Sequence, residues 1–118
     1  MSNSIKRKEP YEQGRRDRRV TFCNRVRLLN AGMRDEFKAS NISRNGIFIL
    51  TSNLFPIGSI LNLEIDLNLL YTVRAQAVVR HHSTGVGIGV EFLLITLDDR
   101  TSIDLFVRRQ PNYDPANS

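Results

Sequence analysis

The side chains best suited to chemistry in this sequence begin with a run of arginines near the N-terminus. Arg15, Arg16, Arg18 and Arg19 lie within five residues, around the single acid Asp17. A guanidinium group stays charged and presents a rigid fork of N–H donors, so it binds phosphate in a bidentate manner and stacks on flat rings. On charge alone, a solvated basic tail is the alternative interpretation. The sharper one is an anion-binding arm, for nucleic acid, a nucleotide or a membrane surface.

The second polar segment is the run Asn-Ile-Ser-Arg-Asn-Gly at residues 41–46. Asn45 and Gly46 are typical of a tight hairpin turn, in which Asn41 and Ser43 would satisfy local backbone groups. If the chain is still extended here, Asn41 and Ser43 share one face, because strand side chains alternate. They would then project an amide and a hydroxyl together onto the surface. With an arginine arm beside them, such groups suit a compact phosphorylated ligand that carries a flat heteroaromatic ring.

Catalytic and metal-binding interpretations find little support. His81 and His82 are adjacent, so on a strand they point to opposite faces and cannot jointly ligate one metal. Cys23 follows Phe22 in a strand-like segment and is expected to be a buried thiol. The glycines at 85–89 lack the spacing of a dinucleotide-binding loop and instead predict close backbone approach or a barrel corner. We therefore expect neither an enzyme nor a bound metal or cofactor.

The net charge of +5 lies in the first third of the 118 residues. Residues 1–38 hold eleven Lys and Arg against five Asp and Glu, whereas residues 39–118 hold six against seven. The length fits one domain. The single cysteine excludes a disulfide framework within the chain and favours a cytoplasmic location. No apolar run approaches the ~18 residues that span a bilayer, and no signal peptide is expected.

Apolar residues at alternate positions, or in short runs, predict six strands, near residues 20–28, 37–39, 46–50, 60–65, 71–79 and 86–94. Asn24 interrupts the alternation in the first of them. The strands are separated by turn-forming residues at spacings of about 8–14 residues, which favours an all-β sandwich or barrel.

One helix is predicted after the strands. Thr96 is a typical N-cap, Asp98 and Asp99 suit the first turn, and Pro111 ends the helix. We expect this helix to close a barrel mouth or to pack on the barrel side. Residues 1–14 are polar and predict a flexible arm, and residues 111–118 predict a disordered tail.

In their order and separation, the two polar segments resemble the motifs of the PilZ family. Residues 15–19 fit its R-x-x-x-R motif, and residues 41–46 fit its [D/N]-x-S-x-x-G motif. Residues 77–80 and the Gly-Ile-Gly-Val-Glu-Phe run at 87–92 resemble its late strands. The resemblance covers roughly residues 14–110. It implies a six-stranded antiparallel β-barrel with a C-terminal helix, over residues 15–110, that acts as a receptor for the bacterial second messenger cyclic di-GMP.

The resemblance also implies roles for the arginines of the arm. Arg15 and Arg19 would bind phosphate oxygens and the guanine edge, which arginine reads with two donors. Arg16 and Arg18 would stack on a base or raise the local positive charge.

The remaining implied ligand-binding residues are Asn41, Ser43 and Gly46. The first two would contact guanine or its surroundings, and Gly46 would let the backbone turn close to the ligand. Asn in place of Asp at position 41 removes a negative charge and offers both a donor and an acceptor.

Ordering of the arm is the mechanism we expect from this resemblance. Residues 1–19 should be mobile without ligand, because four closely spaced arginines repel one another. A dianionic ligand would cancel that repulsion and clamp the arm across the barrel. The new surface would then act on a downstream protein, which the sequence does not identify. One nucleotide or an intercalated pair would both be compatible with the extra arginines.

Two other functions compete with a receptor. One is a PilZ-type interaction adaptor that does not bind the nucleotide. The other is a small nucleic-acid-binding barrel with a basic arm. Nucleic acid is not the expected partner, because residues 39–118 are slightly acidic and the predicted strands carry no clustered exposed aromatic residues.

Overall fold

A computed structural model describes residues 17–30, 32 and 34–111 of the chain. These residues form seven strands and one helix: β1 Val20–Thr21, β2 Arg25–Leu28, β3 Asp35–Ser43, β4 Gly46–Leu50, β5 Ile60–Asn68, β6 Tyr71–Ser83, β7 Gly87–Ile95 and α1 Leu97–Arg108. The predicted arm at 1–14 and all but the first residue of the predicted tail at 111–118 lie outside the described residues.

Six of the strands close a barrel. Neighbouring strands are antiparallel in the order β3–β2–β5–β6–β7–β4, and β4 returns to pair with β3. The seventh, β1, pairs with β3 beyond the end of β2. The predicted all-β class and the six-stranded antiparallel barrel with a C-terminal helix are therefore confirmed, and the sandwich alternative is excluded.

The segment that was predicted as the first strand is divided by a bulge. Its apolar residues all face the core, but its pairing with β3 shifts by one residue between Thr21 and Arg25. Residues 23–25 are all exposed at this shift. The prediction that Cys23 is buried is wrong, because Cys23 follows the buried Phe22 and alternation along the strand places it on the outer face. Asn24 uses this position to donate to the carbonyl oxygens of Asp66 and Leu67, at 3.0 and 3.2 Å.

The barrel core is built by alternating residues of β5 and β6 together with the helix. Every second residue from Leu61 to Leu67 and from Val73 to Val79 is buried, which extends the alternation that the sequence predicted. Ile103 and Val107 of α1 join the same core cluster. The ring of Phe106 meets that of Phe22 edge to face, with centroids 5.4 Å apart. The helix therefore covers the barrel beside β1.

The predicted limits of the helix are also confirmed. The Thr96 hydroxyl accepts a hydrogen bond from the amide of Asp99 at 3.1 Å, so Thr96 is the N-cap. Arg109 is the C-cap, just before Pro111. In the part of the chain that the structure describes, no helix is both long enough and apolar enough to cross a membrane.

A carboxylate on the outer face of the barrel gathers three arginines. Glu64 is only 6% exposed, and Arg27 and Arg34 donate to its Oε1 at 3.1 and 2.9 Å. Arg74 donates to Oε2 at 3.0 Å, and Arg27 also binds both carboxylate oxygens of Asp66. The Arg27 hydrogen bonds hold the pKa values of Glu64 and Asp66 below their usual range. The cluster joins β2, β5 and β6 from outside.

Replacing Glu64 by Gln keeps the shape of the side chain and removes its charge. We expect E64Q to lower the free energy of unfolding in urea by about 1–3 kcal/mol, because three charge-assisted hydrogen bonds weaken at a buried position. Glu36→Gln is the matched control, since its ion pair with Arg25 is exposed and should contribute less than about 1 kcal/mol. Equal losses in the two variants would contradict a special role for Glu64.

Stability should also fall in acid. The pKa values of Glu64 and Asp66 are depressed in the folded chain, so below about pH 4–5 the unfolded chain takes up protons first. Their contribution is complete above the unfolded values and is lost as the pH falls through the folded ones. Urea midpoints measured from pH 7 to pH 3 should decline less steeply for E64Q than for the wild type. Parallel curves would count against the cluster as the source.

Candidate ligand-binding site

The segment at 41–46 forms the hairpin between β3 and β4. Ser43 pairs with Gly46, and only Arg44 and Asn45 make the turn. Asn41 and Ser43 therefore belong to β3, so the extended interpretation of this segment is correct. Ile42 between them is fully buried in the core. The side chains of Asn41 and Ser43 thus lie on the opposite, outer side of β3.

Ser43 differs from the expectation because it is fully buried. Its Oγ donates to Oδ2 of Asp17 at 3.0 Å and accepts from the amides of Asn45 and Gly46, both at 3.2 Å. A hydroxyl has one proton and two lone pairs, and these three bonds use all of them. The expectation that the hydroxyl projects onto the surface is wrong, since the segment before β1 covers it.

Asp17 was given no role by the sequence, yet it joins the two motifs. Its Oδ2 accepts the Ser43 proton, while its Oδ1 is buried and has no hydrogen-bond partner. A buried carboxylate oxygen without a donor lowers the stability of the fold. Asp17 therefore stabilises the fold less than a fully bonded carboxylate would. In the sequence, Asp17 is distinguished only as the single acidic residue among four arginines.

Arg19 reaches the same hairpin from the arm. Its Nη1 donates to Oδ1 of Asn41 at 3.0 Å and to the carbonyl oxygen of Gly46 at 3.5 Å. Loss of water around the guanidinium lowers the pKa of Arg19, and the nearby Asp17 carboxylate partly opposes this. Arginine nevertheless stays protonated. The result is a cation that has lost part of its hydration and bonds to neutral groups.

The amide of Asn41 has a defined orientation. Because arginine only donates hydrogen bonds, the oxygen of the amide must face Arg19. The two N–H donors on Nδ2 then point away from Arg19. Within the described residues these donors have no hydrogen-bond partner, so they can reach an acceptor in the space beside β3.

Gly46 is needed for steric reasons. It is the first residue of β4, opposite Glu91 of β7, and a Cβ there would collide with the carbonyl oxygen of Val90 and lie 3.3 Å from Nη2 of Arg19. Gly46 therefore lets β4 and β7 approach under the arginine. We expected Gly46 to allow the backbone to turn. The structure instead requires glycine here because β4 and β7 lie so close together.

Two further arginines surround the hairpin. Arg44 is exposed in the turn, and Arg100 of α1 donates to the carbonyl oxygen of Arg44 at 3.1 Å and to Oδ1 of Asn45 at 3.0 Å. Sequence reasoning missed Arg100, because nothing local links a helix residue to a turn 55 positions earlier. Arg18 is half-buried beside Arg19. The predicted site residues Arg15 and Arg16 lie outside the described residues.

An aromatic pair lies next to Asn41 on the outer face. The register places Phe48 of β4 opposite Asn41, Gly89 of β7 opposite Phe48, and His81 of β6 opposite Gly89. The rings of Phe48 and His81 are 6.0 Å apart at 31°. Phe48 is half-buried and His81 is exposed. This pair of one half-buried and one exposed ring is a feature that the sequence did not indicate.

The alternating glycines of β7 make room for these rings. A Cβ at Gly89 would collide with the His81 imidazole, and one at Gly87 would lie 2.7 Å from Cε2 of Phe48. The predicted close approach at these glycines is confirmed. His82 is separate from the pair, since its Nε2 lies 2.6 Å from the carbonyl oxygen of Phe55.

Other features of the surface do not compete with this hairpin. A groove of about 950 Å³ lies beside the β1–β2 bulge and contacts Cys23 and Phe106. Among its charged residues, Arg25 pairs with Glu36 and Asp66 pairs with Arg27, so those charges are already neutralised. Across the described residues, no three His, Cys, Asp or Glu side chains come together as a metal site would need.

Comparisons with known proteins identify the family of the chain. The family model for the PilZ domain matches residues 13–109. The chain belongs to the PilZ family. The resemblance inferred from its two motifs is thus confirmed, and PilZ domains are receptors and adaptors for cyclic di-GMP signalling. We found no match among curated proteins.

Two solved structures show the same PilZ fold. The inhibitor of motility MotI/DgrA of Bacillus subtilis has a TM-score of 0.72 and 23% identity, over 85% of this chain and 52% of that one. YcgR of Escherichia coli, solved in complex with c-di-GMP, has a TM-score of 0.65 and 16% identity, over 79% of this chain and 44% of that one. This PilZ chain thus spans about half the length of either protein.

The Asp17–Ser43 bond can be tested by a double-mutant cycle on the ligand-free protein. Ser43→Ala should lower the free energy of unfolding by about 1–3 kcal/mol, because it leaves the amides of Asn45 and Gly46 without their acceptor. Asp17→Ala should lower it by about 0.5–1.5 kcal/mol, because it removes one hydrogen bond. The double variant should lose clearly less than the sum. Ser43→Ala combined with Glu36→Ala is the control, because seven strand residues, roughly 23 Å, separate them. Additive losses for Asp17 and Ser43 would show that the bond is absent in solution.

Proposed function

We propose that this chain is a receptor for cyclic di-GMP. The observation that carries the proposal is the meeting of the two motifs: Arg19 of the arm rests on Asn41 and Gly46 of the hairpin. The proposed ligand-binding residues are Arg15, Arg16, Arg18, Arg19 and Asn41, whereas Ser43 and Gly46 shape the hairpin that positions them. Catalysis is no part of the proposal.

The chemistry of the ligand fits this set. Cyclic di-GMP carries two phosphate charges, and its guanine presents the O6 and N7 acceptors that arginine reads. A partly desolvated guanidinium such as that of Arg19 attracts an anion more strongly than a hydrated one. Arg15 is four residues before Arg19, and thus within about 14 Å of it along the chain. The whole cluster can therefore serve one small dianion.

The output we propose is ordering of the arm, over a shorter segment than the sequence suggested. Asp17 and Arg19 already bond to the hairpin, so the expectation of mobility up to residue 19 does not apply to residues 17–19. Ordering costs about 1–2 kcal/mol per residue, and the anchor reduces the number of residues that a ligand must fix. The arm and the hairpin then form a new surface for a downstream protein.

Arg19→Ala tests the receptor directly. In calorimetry with cyclic di-GMP, we expect it to weaken binding by about 10- to 100-fold, the effect of losing charge-assisted hydrogen bonds. Arg108→Ala is the control, because it makes the same charge change at the far end of α1, where Arg108 pairs with Asp104. No binding by the wild type, or equal losses in both variants, would overturn the proposal.

The alternatives give different results in the same samples. An adaptor would bind its partner with or without the nucleotide. A nucleic-acid-binding protein would bind single-stranded RNA with an affinity that falls steeply as salt rises.

A further inference from the structure

We propose that Phe48 and His81 form a stacking surface for a guanine base of the ligand. This inference rests on the proposed function and adds a subsite to it. Neither residue belongs to the two motifs. Phe48 lies two residues after Gly46 on β4, in the next cross-strand row that faces outward.

The register brings the pair to the arginine. Asn41 and Phe48 are directly opposite each other on β3 and β4, and side chains of such a pair lie about 5 Å apart at Cβ on the same face. Asn41 holds Arg19 through its amide oxygen. The Phe48 ring is therefore a direct neighbour of the group that we expect to bind the phosphates.

The rings lie flat on the sheet rather than standing away from it. On β7, between β4 and β6, the outward positions under the rings are Gly87 and Gly89, and a side chain at either would collide with Phe48 or His81. A flat ring on a sheet shows one face to the protein and the other to solvent. The outer faces of Phe48 and His81 together make an apolar surface about two rings wide.

The polar atoms of His81 are not committed to the protein. Within the described residues its imidazole forms no hydrogen bond, whereas the next residue, His82, is bonded to the Phe55 carbonyl oxygen. An exposed ring without a polar partner can stack on a base face, as aromatic side chains do in proteins that bind unpaired bases.

The neighbouring amide supplies the edge contact that a stacked guanine requires. With its oxygen on Arg19, Asn41 directs its Nδ2 donors away from the arginine, and guanine O6 and N7 only accept. A base stacked on Phe48 would therefore have its face on the ring and its acceptor edge toward Asn41. An adenine would place an N6 donor there instead, so the subsite favours guanine.

Tryptophan fluorescence gives a direct readout, because the chain has no tryptophan. We expect the single emission of a His81→Trp variant to be strongly quenched by cyclic di-GMP, and the emission of a Leu69→Trp variant to stay unchanged. Leu69 is fully exposed in the β5–β6 turn. Cyclic di-AMP should quench the His81→Trp variant less at equal concentration.

Affinity measured by calorimetry provides the second readout. His81→Ala should bind about tenfold more weakly than the wild type, His81→Phe should keep most of the affinity, and Leu69→Ala should bind like the wild type. Thermal unfolding of each variant shows that the fold is kept, and Phe48→Ala serves if His81→Ala unfolds.

The outcomes separate the two proposals. Wild-type binding together with unquenched emission from His81→Trp, or with unchanged affinity in His81→Ala, overturns the stacking surface alone. No wild-type binding of cyclic di-GMP overturns both the subsite and the receptor. Quenching with a matching loss of affinity in His81→Ala supports the subsite.

Discussion

Closure of the barrel by the short strand β4 is the constraint on which the candidate site depends. β4 has five residues and pairs with β3 on one side and β7 on the other. Its contacts with β7 are possible only because Gly46 and Gly87 have no side chain, since a Cβ at either would collide with a backbone carbonyl oxygen of the other strand. Gly46, Gly87 and Gly89 also leave room on the outer surface for the side chains of Arg19, Phe48 and His81. A feature that closes the fold thus also shapes its surface.

The ion pairs of the described residues distinguish Arg19 from the arginines that follow it in the chain. Three basic residues between 25 and 34 are paired with acids on the outer face of the barrel; the pairs are Arg25–Glu36, Arg27–Asp66 and Arg34–Glu64. Arg19, in contrast, bonds to an amide oxygen and a carbonyl oxygen. Neutral partners position a guanidinium without cancelling its charge. Among these described arginines, Arg19 is therefore the one whose side-chain hydrogen bonds go to neutral groups, and it lies at the hairpin.

Local features of the sequence were sufficient to predict the barrel strands, the N-cap of the helix and the close backbone approach at Gly87. They depend on neighbours two to four positions apart, which the sequence shows directly. The errors had different causes. Cys23 follows the buried Phe22, so alternation along the strand itself places Cys23 on the outer face, and the expectation of a buried thiol did not apply that alternation. Ser43 is buried because Asp17, 26 residues earlier, covers it. The contact of Arg100 with the hairpin is likewise set by packing of the helix, which no local pattern encodes.

The first position of the [D/N]-x-S-x-x-G motif allows Asp or Asn, and this chain has Asn41. The structure shows what that choice changes. An aspartate there would accept a hydrogen bond from Arg19 as well as Asn41 does, but it would neutralise that arginine and weaken its attraction for phosphate. It would also present a second acceptor where Asn41 presents two N–H donors. In the proposed complex, a carboxylate that faced the acceptor edge of guanine would need an intervening donor, such as another arginine or water. The amide would add no negative charge to that of Asp17 beside Arg19, and it would contact that edge itself. Under the proposed function, the residue at position 41 therefore couples phosphate binding and base binding through a single side chain.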